Sequence, residues 1–184
     1  MLTGNIMSLV DEENFATITT MEGASFAGLF AGNNFFETII DVSGLLLPAT
    51  TLSKNCYSGM FAGCSKLSGG PAELPALTLA PGCYSNMFNG CNKIEWAETL
   101  ELPATELVKD CYAYMFHECG NLKALICLAT TIPTGSDCTT DWLKGVSNNN
   151  PFGEPTFTKA KGASFWDDLD YDDGIPSGWS VNVY

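Results

Sequence analysis

One frame occurs three times in register and limits what this chain can fold into. Leu47 to Leu67 reads LPATTLSKNCYSGMFAGCSKL, Leu74 to Ile94 reads LPALTLAPGCYSNMFNGCNKI, and Leu102 to Leu122 reads LPATELVKDCYAYMFHECGNL. The shared pattern is L-P-A-x-x-L-x-x-x-C-Y-x-x-M-F-x-x-C-x-x-[LI], and Cys56, Cys83 and Cys111 fall 27 and 28 residues apart. Units that repeat at such a period bury their apolar faces against one another, so they form an array and not a single wrapped core.

The flanks carry degraded copies. Upstream, SFAGLFAGNNFF (Ser25 to Phe36) fits with Ser25 and Asn33 in the cysteine places, Phe26 for the tyrosine and Leu29-Phe30 for Met-Phe. Downstream, CTTDWLKGV (Cys138 to Val146) fits with Trp142-Leu143 at Met-Phe and Val146 at the second cysteine. Atypical ends are expected of a repeat array, whose terminal units cover an exposed core.

Within a unit, Leu52, Cys56 and Met60 are spaced i, i+4, i+8, and Tyr57 and Phe61 i, i+4. This spacing predicts one apolar face of a short helix. Pro81 falls in its first turn, and Gly63 and Gly90 at its C-terminal end. The runs KLSGG, KIEWAETLEL and LKALICLA after each second cysteine read as short strands, and each Leu-Pro step turns the chain back. The expected fold is α/β: a leucine-rich-repeat, right-handed solenoid of about five coils, with short parallel strands and short helices. Residues 1–46 form an atypical first coil, 47–122 the three regular repeats and 123–146 a degraded one. Beyond Val146, SNNNPFGEP is turn-rich, and TFTKAK and WSVNVY alternate as strands. Residues 147–184 are therefore expected to be a small β cap over the sheet edge.

The frame resembles that of the BspA-like leucine-rich repeat proteins of gut and oral bacteria, in the subgroup with tandem LPATTLA..CY..MF.GC..L units. The opening GNIMSLVDEENFAT and the ending GIPSGWSVNVY are similar to the entry and exit segments of that subgroup. The resemblance implies an extracellular or cell-surface location, no catalytic residues, no cofactor and, for some members, adhesion to host proteins or other bacteria.

Charge narrows the partners further. The chain has 8 lysines, no arginine and 21 acidic residues, a net charge of −13. Such a surface repels phosphate backbones and anionic membranes, so nucleic acid is not expected as a partner. No apolar run is long enough to span a bilayer, and the first residues do not read as a signal peptide.

The eight cysteines admit three readings: buried thiols, a cross-repeat disulfide or a metal site. Two cysteines in one unit would lie on the order of 12 Å apart along a helix, beyond disulfide reach. Equivalent cysteines of stacked units would lie close enough to bond, but a three-membered column cannot pair completely. Ser25, Asn33 and Val146 at the equivalent places favour buried thiols, and zinc-type spacing is absent. Cys127 reads as a strand core residue. The lone His117 falls where other copies have Ala62 and Asn89, a place expected at the surface.

DDLDYDDG (Asp167 to Gly174) places Asp168, Asp170 and Asp172 at calcium-loop spacing. Its glycine comes one residue late, and Trp179 stands where the closing glutamate belongs. It reads as a solvated loop with weak calcium candidates. The aromatic column Tyr57, Tyr84 and Tyr112 is either packing or a possible ligand surface. The function expected is a non-enzymatic, monomeric cell-surface module that presents its repeat surface to a protein partner. The alternatives are glycan binding through exposed aromatics, or a spacer in a larger surface protein.

Overall fold

Alternating burial in the extended runs produces short strands that pair in parallel. The computed structural model describes residues 1–21, 26–32, 39–96, 98–146 and 154–184. Among these residues six strands, β1 (Thr3–Asn5), β2 (Gly44–Leu46), β3 (Leu100–Leu102), β4 (Ala124–Cys127), β5 (Thr156–Lys159) and β6 (Ser180–Val183), form two parallel sheets. These are β1–β2 and β3–β4–β5–β6. The described residues also hold three 3-10 helices, Ile6–Leu9, Phe15–Thr17 and Ser164–Asp167, in an α/β arrangement with few helices. Single parallel bridges extend the pairing from Asp41 to Gly69 to Glu95, and from Thr20 to Thr51 to Thr78. Of the expected strand KLSGG, only the Gly69 bridge forms. The degraded positions Ser25 and Asn33 lie outside the described residues.

The expected helix over the Cys-Tyr-x-x-Met-Phe segment does not form; a run of tight turns takes its place. The reason is a positive φ at every fourth residue. Asn55, Gly59 and Gly63 have φ of 56, 60 and 76°, and the equivalent residues Gly82, Asn86 and Gly90 repeat the pattern at 66, 58 and 77°. Left-handed residues at this spacing break the i to i−4 ladder of a helix. The amides therefore divide into two sets. Those of Cys56, Ser58, Met60, Ala62 and Cys64 donate to the carbonyl three residues back, at 3.0–3.3 Å. Those of Asn55, Tyr57, Gly59, Phe61 and Gly63 donate to the carbonyls of Pro81, Cys83, Ser85, Met87 and Asn89 in the next copy, at 2.7–3.1 Å.

The same ladder recurs at each junction: Phe26 to Cys56 before it, Tyr84 to Cys111 and Tyr112 to Cys138 after it. At every junction the N-terminal copy donates and the C-terminal copy accepts. Each row of turns thus has an amide edge facing forward and a carbonyl edge facing back. The apolar residues picked out by helical spacing are nevertheless the buried ones, because a four-residue turn repeat returns side chains to one face much as a helix does. Leu52, Cys56, Tyr57, Met60 and Phe61 all lie in the core.

Aromatic rings stack between copies. Phe26, Tyr57, Tyr84, Tyr112, Trp142 and Trp166 form one column, with successive ring centroids 6.0, 5.7, 6.0, 6.1 and 5.3 Å apart. Phe30, Phe61, Phe88 and Phe116 form a second, at 5.5, 5.5 and 5.9 Å. On the strand side, Leu100, Leu125 and Phe157 align in register and are buried.

The C-terminal segment forms the expected strands on the sheet edge: β5 pairs with β4 and β6 with β5, so the open edge passes to β6, which is exposed along its length.

The third copy departs from the others by using Asp110, Tyr114 and Glu118 at the left-handed positions, with φ of 55, 56 and 60°. Glu118 stands where the other copies have Gly63, Gly90 and Gly145. A non-glycine residue there costs about 1–2 kcal/mol. Glu118→Gly is therefore expected to raise the unfolding free energy by about 1 kcal/mol, and Gly90→Ala to lower it by a similar amount. Gly120→Ala, at an ordinary φ and with nothing nearer than 3.8 Å to the added carbon, should change little. Urea unfolding of the three variants checks this; a destabilised Glu118→Gly would show that the left-handed positions carry no strain.

Candidate functional site

Groups that bear chemistry are placed almost entirely by the packing. All eight cysteines are unbonded and buried. The first cysteine of each unit lies at the base of the turn row. The second acts as a donor between copies, a role that spacing alone does not reveal. Cys64 Sγ donates to the Phe30 carbonyl at 3.0 Å, Cys91 Sγ to Phe61 and Cys119 Sγ to Phe88 at 3.1 Å each. Burial pushes the thiols up, to about 11 for Cys56 and Cys64 and about 12 for Cys83 and Cys127. Such thiols are protonated at neutral pH and do not serve as nucleophiles. At the last junction, desolvation and a hydrogen bond to Cys138 hold Cys111 protonated, and the proton it donates pulls Cys138 down.

The tyrosine column is core and not a ligand surface. Tyr57, Tyr84 and Tyr112 are at most 1% exposed. Each ring is sandwiched between rings of the adjacent copies, so no ring face is open to a ligand. The hydroxyls of Tyr57 and Tyr84 are buried without a protein partner. His117 is partly buried, with its Nδ1 enclosed and its ring edge-on to Tyr114 at 5.9 Å, so it is not the open surface histidine expected.

The calcium candidates are likewise corrected. Asp170 Oδ1 accepts the amides of Asp172 and Asp173, both at 3.0 Å, and Asp172 Oδ2 accepts from Lys144 Nζ at 3.3 Å. Asp168 is exposed and joins no ligand set; among the described residues no three acidic, cysteine or histidine side chains converge as a metal requires. The run has a structural role in its place. Residues 138–146 are the last turn row, whose amide edge faces forward with no further copy to accept it. Asp173 Oδ1 accepts the Asp141 amide at 3.0 Å, and the Gly174 carbonyl accepts the Trp142 indole at 2.7 Å. A carboxylate on a row of aligned amides is favourable for the reason that one at a helix N-terminus is.

A different feature opens to the surface. Between β2 and β3 the sheet is interrupted. The bridges through Gly69 hold the copies together before the interruption, and the amides of Leu77 and Thr78 donate to Thr50 after it, at 2.8 and 3.0 Å. Among the described residues, the backbone of residues 72–76 makes no hydrogen bond, and β2 and β3 each pair on one side only. The cause is length. Leu47 follows its bridge residue Asp41 by six positions and Leu102 follows Glu95 by seven, but Leu74 follows Gly69 by only five. The shorter path leaves no register for a strand, and Pro71 and Pro75 lack amides to donate. Trp96 secures the corner: its Nε1 donates to the Pro71 carbonyl at 2.9 Å, and its ring lies where a side chain on Gly70 would stand.

The interruption leaves a groove of about 570 Å³ with Leu74, Leu77 and Pro103 on its floor and Glu73, Glu98 and Glu101 around it. Leu77 is 62% exposed. On the other side of residues 72–75 a smaller groove of about 300 Å³ exposes Leu46. Beside these, Glu95, Asn121 and Lys123 link adjacent copies, through Asn121 Nδ2 to Glu95 at 3.1 Å and Lys123 Nζ to Glu95 at 3.3 Å. No described helix is long and apolar enough to cross a membrane. Searches of family models, of curated proteins and of solved structures each return no match for the chain.

Two outcomes follow from the burial. Tyr84→Ala removes a stacked ring and should lose about 3–5 kcal/mol, whereas Tyr84→Phe keeps the ring and should stay within about 1 kcal/mol of the parent. Chemical denaturation measures both; a fully stable Tyr84→Ala would contradict the core assignment. The thiols also set a pH dependence. Unfolded thiols ionise from about pH 8.5, while Cys56, Cys64, Cys83 and Cys127 in the fold resist to about 11–12 and outweigh Cys138, which is shifted the other way. A raised folded pKa gives stability that is complete below the unfolded value and lost as pH rises through the folded one. Under a reductant, the urea midpoint should hold from pH 7 to about 8.5 and fall steadily above it. A midpoint unchanged at about pH 11 would mean that the thiols are not held protonated by the fold.

Proposed function

We propose that the chain is a leucine-rich-repeat solenoid of about five coils that serves as a non-enzymatic binding or adhesion module at a cell surface, presenting its repeat surface to a protein partner. The observation that carries this reading is the consumption of reactive groups by packing. The cysteines are buried, burial holds all of them but Cys138 protonated, and His117 is enclosed, which leaves no assembled nucleophile and base among the described residues. What remains outward is a corrugated surface of grooves and copy-specific side chains such as Ser68, Glu95 and Lys123. Surfaces of that kind suit protein recognition, in which apolar floors and polar rims combine. The resemblance of the repeat frame to BspA-like proteins agrees with this and is the support for an extracellular or surface location.

Glycan binding through stacked aromatics loses its main support, because the rings of that column face one another. Among the described residues, the most exposed aromatics, Tyr171 and Tyr184, make no ring pair that could serve as a platform.

The two classes separate in parallel assays of the purified chain: capture of proteins from a solubilised host-cell surface fraction, and a glycan array. Saturable capture of a protein, with no glycan bound, is the expected result. Selective glycan binding with no protein captured would overturn the reading in favour of the alternative.

A further inference from the structure

We propose that the interruption between β2 and β3 is the docking groove for an extended segment of a partner protein in which lysine or arginine alternates with aliphatic residues. This rests on the binding-module reading and gives it a place and a partner chemistry. Three independent features of the groove select that occupant. Its floor is aliphatic, with Leu74, Leu77 and Pro103, and it has no aromatic ring on which a sugar would stack. Its lining includes Glu73, Glu98 and Glu101 and no basic residue, and these three carboxylates make no ion pair or hydrogen bond among the described residues. They do not converge enough to hold a metal ion, so long cationic side chains, each reaching its own carboxylate, match them better than a bare cation does. Finally, β3 keeps an unpaired side toward the groove, and the backbone of residues 72–76 forms no hydrogen bond among the described residues, so main-chain donors and acceptors are available to an extended chain.

Other occupants fit less well. A second copy of this chain carries a net charge of −13 and no arginine, and would bring more carboxylates than cations to an already acidic rim. Nucleic acid is repelled on the same ground. The shorter second copy is thus what opens the sheet, and the glutamates on either side of it determine the charge of what enters.

The test uses a fluorescently labelled peptide of about eight residues, with lysine at alternate positions and leucines between them, and a counterpart with glutamate for lysine. The full chain is titrated into each and anisotropy is recorded. The lysine peptide should bind saturably, more weakly as salt rises from about 50 to 300 mM, and the glutamate peptide should not bind. Replacing Glu73, Glu98 and Glu101 together by Gln should weaken the lysine peptide about tenfold or more. A control triple, Glu12→Gln with Glu13→Gln and Asp168→Asn, changes the net charge equally at exposed sites outside the groove and should change affinity less than about twofold. Both triples are expected to unfold at the parent midpoint, since the groove glutamates support no contact. Equal weakening by the two triples would reduce the effect to general attraction and overturn the groove; so would absence of lysine-peptide binding, or equal binding of the glutamate peptide. If the parent and the groove triple capture the same host protein equally, the groove fails while the binding-module reading stands; if the parent captures nothing, that reading fails instead.

Discussion

Each copy of the repeat is joined to the next by a row of amides that all point forward, and the rest of the molecule is arranged around that row. A left-handed residue at every fourth position makes it possible. With φ near 60° at Asn55 and Gly59, the backbone between them bonds to itself on one set of amides and frees the other set for the next copy. Had the segment been helical, those amides would have been satisfied internally, and on this side the copies would meet through side chains alone. Because every row donates forward and accepts backward, the two ends of the array differ in kind. At the C-terminal end one forward amide, that of Asp141, meets Asp173, and the acidic run that resembles a cation loop acts there to cap an edge rich in donors. The physical logic is that of an anion at a helix N-terminus, built from turns.

Packing of the side chains follows from the same ladder. The hydrogen-bonded rows hold equivalent residues one above another, so phenylalanine and tyrosine stack on their own kind at 5.5–6.0 Å. The second cysteine of each unit then reaches the carbonyl of the preceding phenylalanine. The array tolerates variation in the connection between one second cysteine and the next Leu-Pro, because that stretch lies outside the rows. There the copies differ in length, and there the sheet opens into a groove with an apolar floor and an acidic rim. Regularity holds the fold together, and the shortest of these intervals is where the sheet opens.

Much of this was legible in the chain. Three copies in register require repeated packing of Cys56, Tyr57, Met60 and Phe61 and their equivalents, and all are core. The runs KIEWAETLEL, LKALICLA, TFTKAK and WSVNVY each contain a strand, β3 to β6. The helix was misread because a four-residue turn repeat and a 3.6-residue helix bury nearly the same positions over a segment this short; Gly63 and Gly90 looked like helix caps but are members of a series that includes Asn86 and Asp110. That series was visible as Gly, Asn or Asp at a spacing of four, and it is the signal that separates the two conformations.

The sequence by itself determined which residues are inside and how often they recur, since burial depends on apolar pattern and period, and both are local properties of the chain. Only the tertiary structure decided what those residues are used for. Thiols became donors to a neighbouring carbonyl, stacked tyrosines became unavailable to ligands, and Asp170, in calcium-loop spacing, turned onto the amides of Asp172 and Asp173 while its neighbour Asp173 took that of Asp141. The groove beside Leu77 belongs to the same class. It arises from a difference in length between adjacent copies, and that difference acquires a shape only when the copies are laid side by side and the shorter one fails to reach its neighbours' strands.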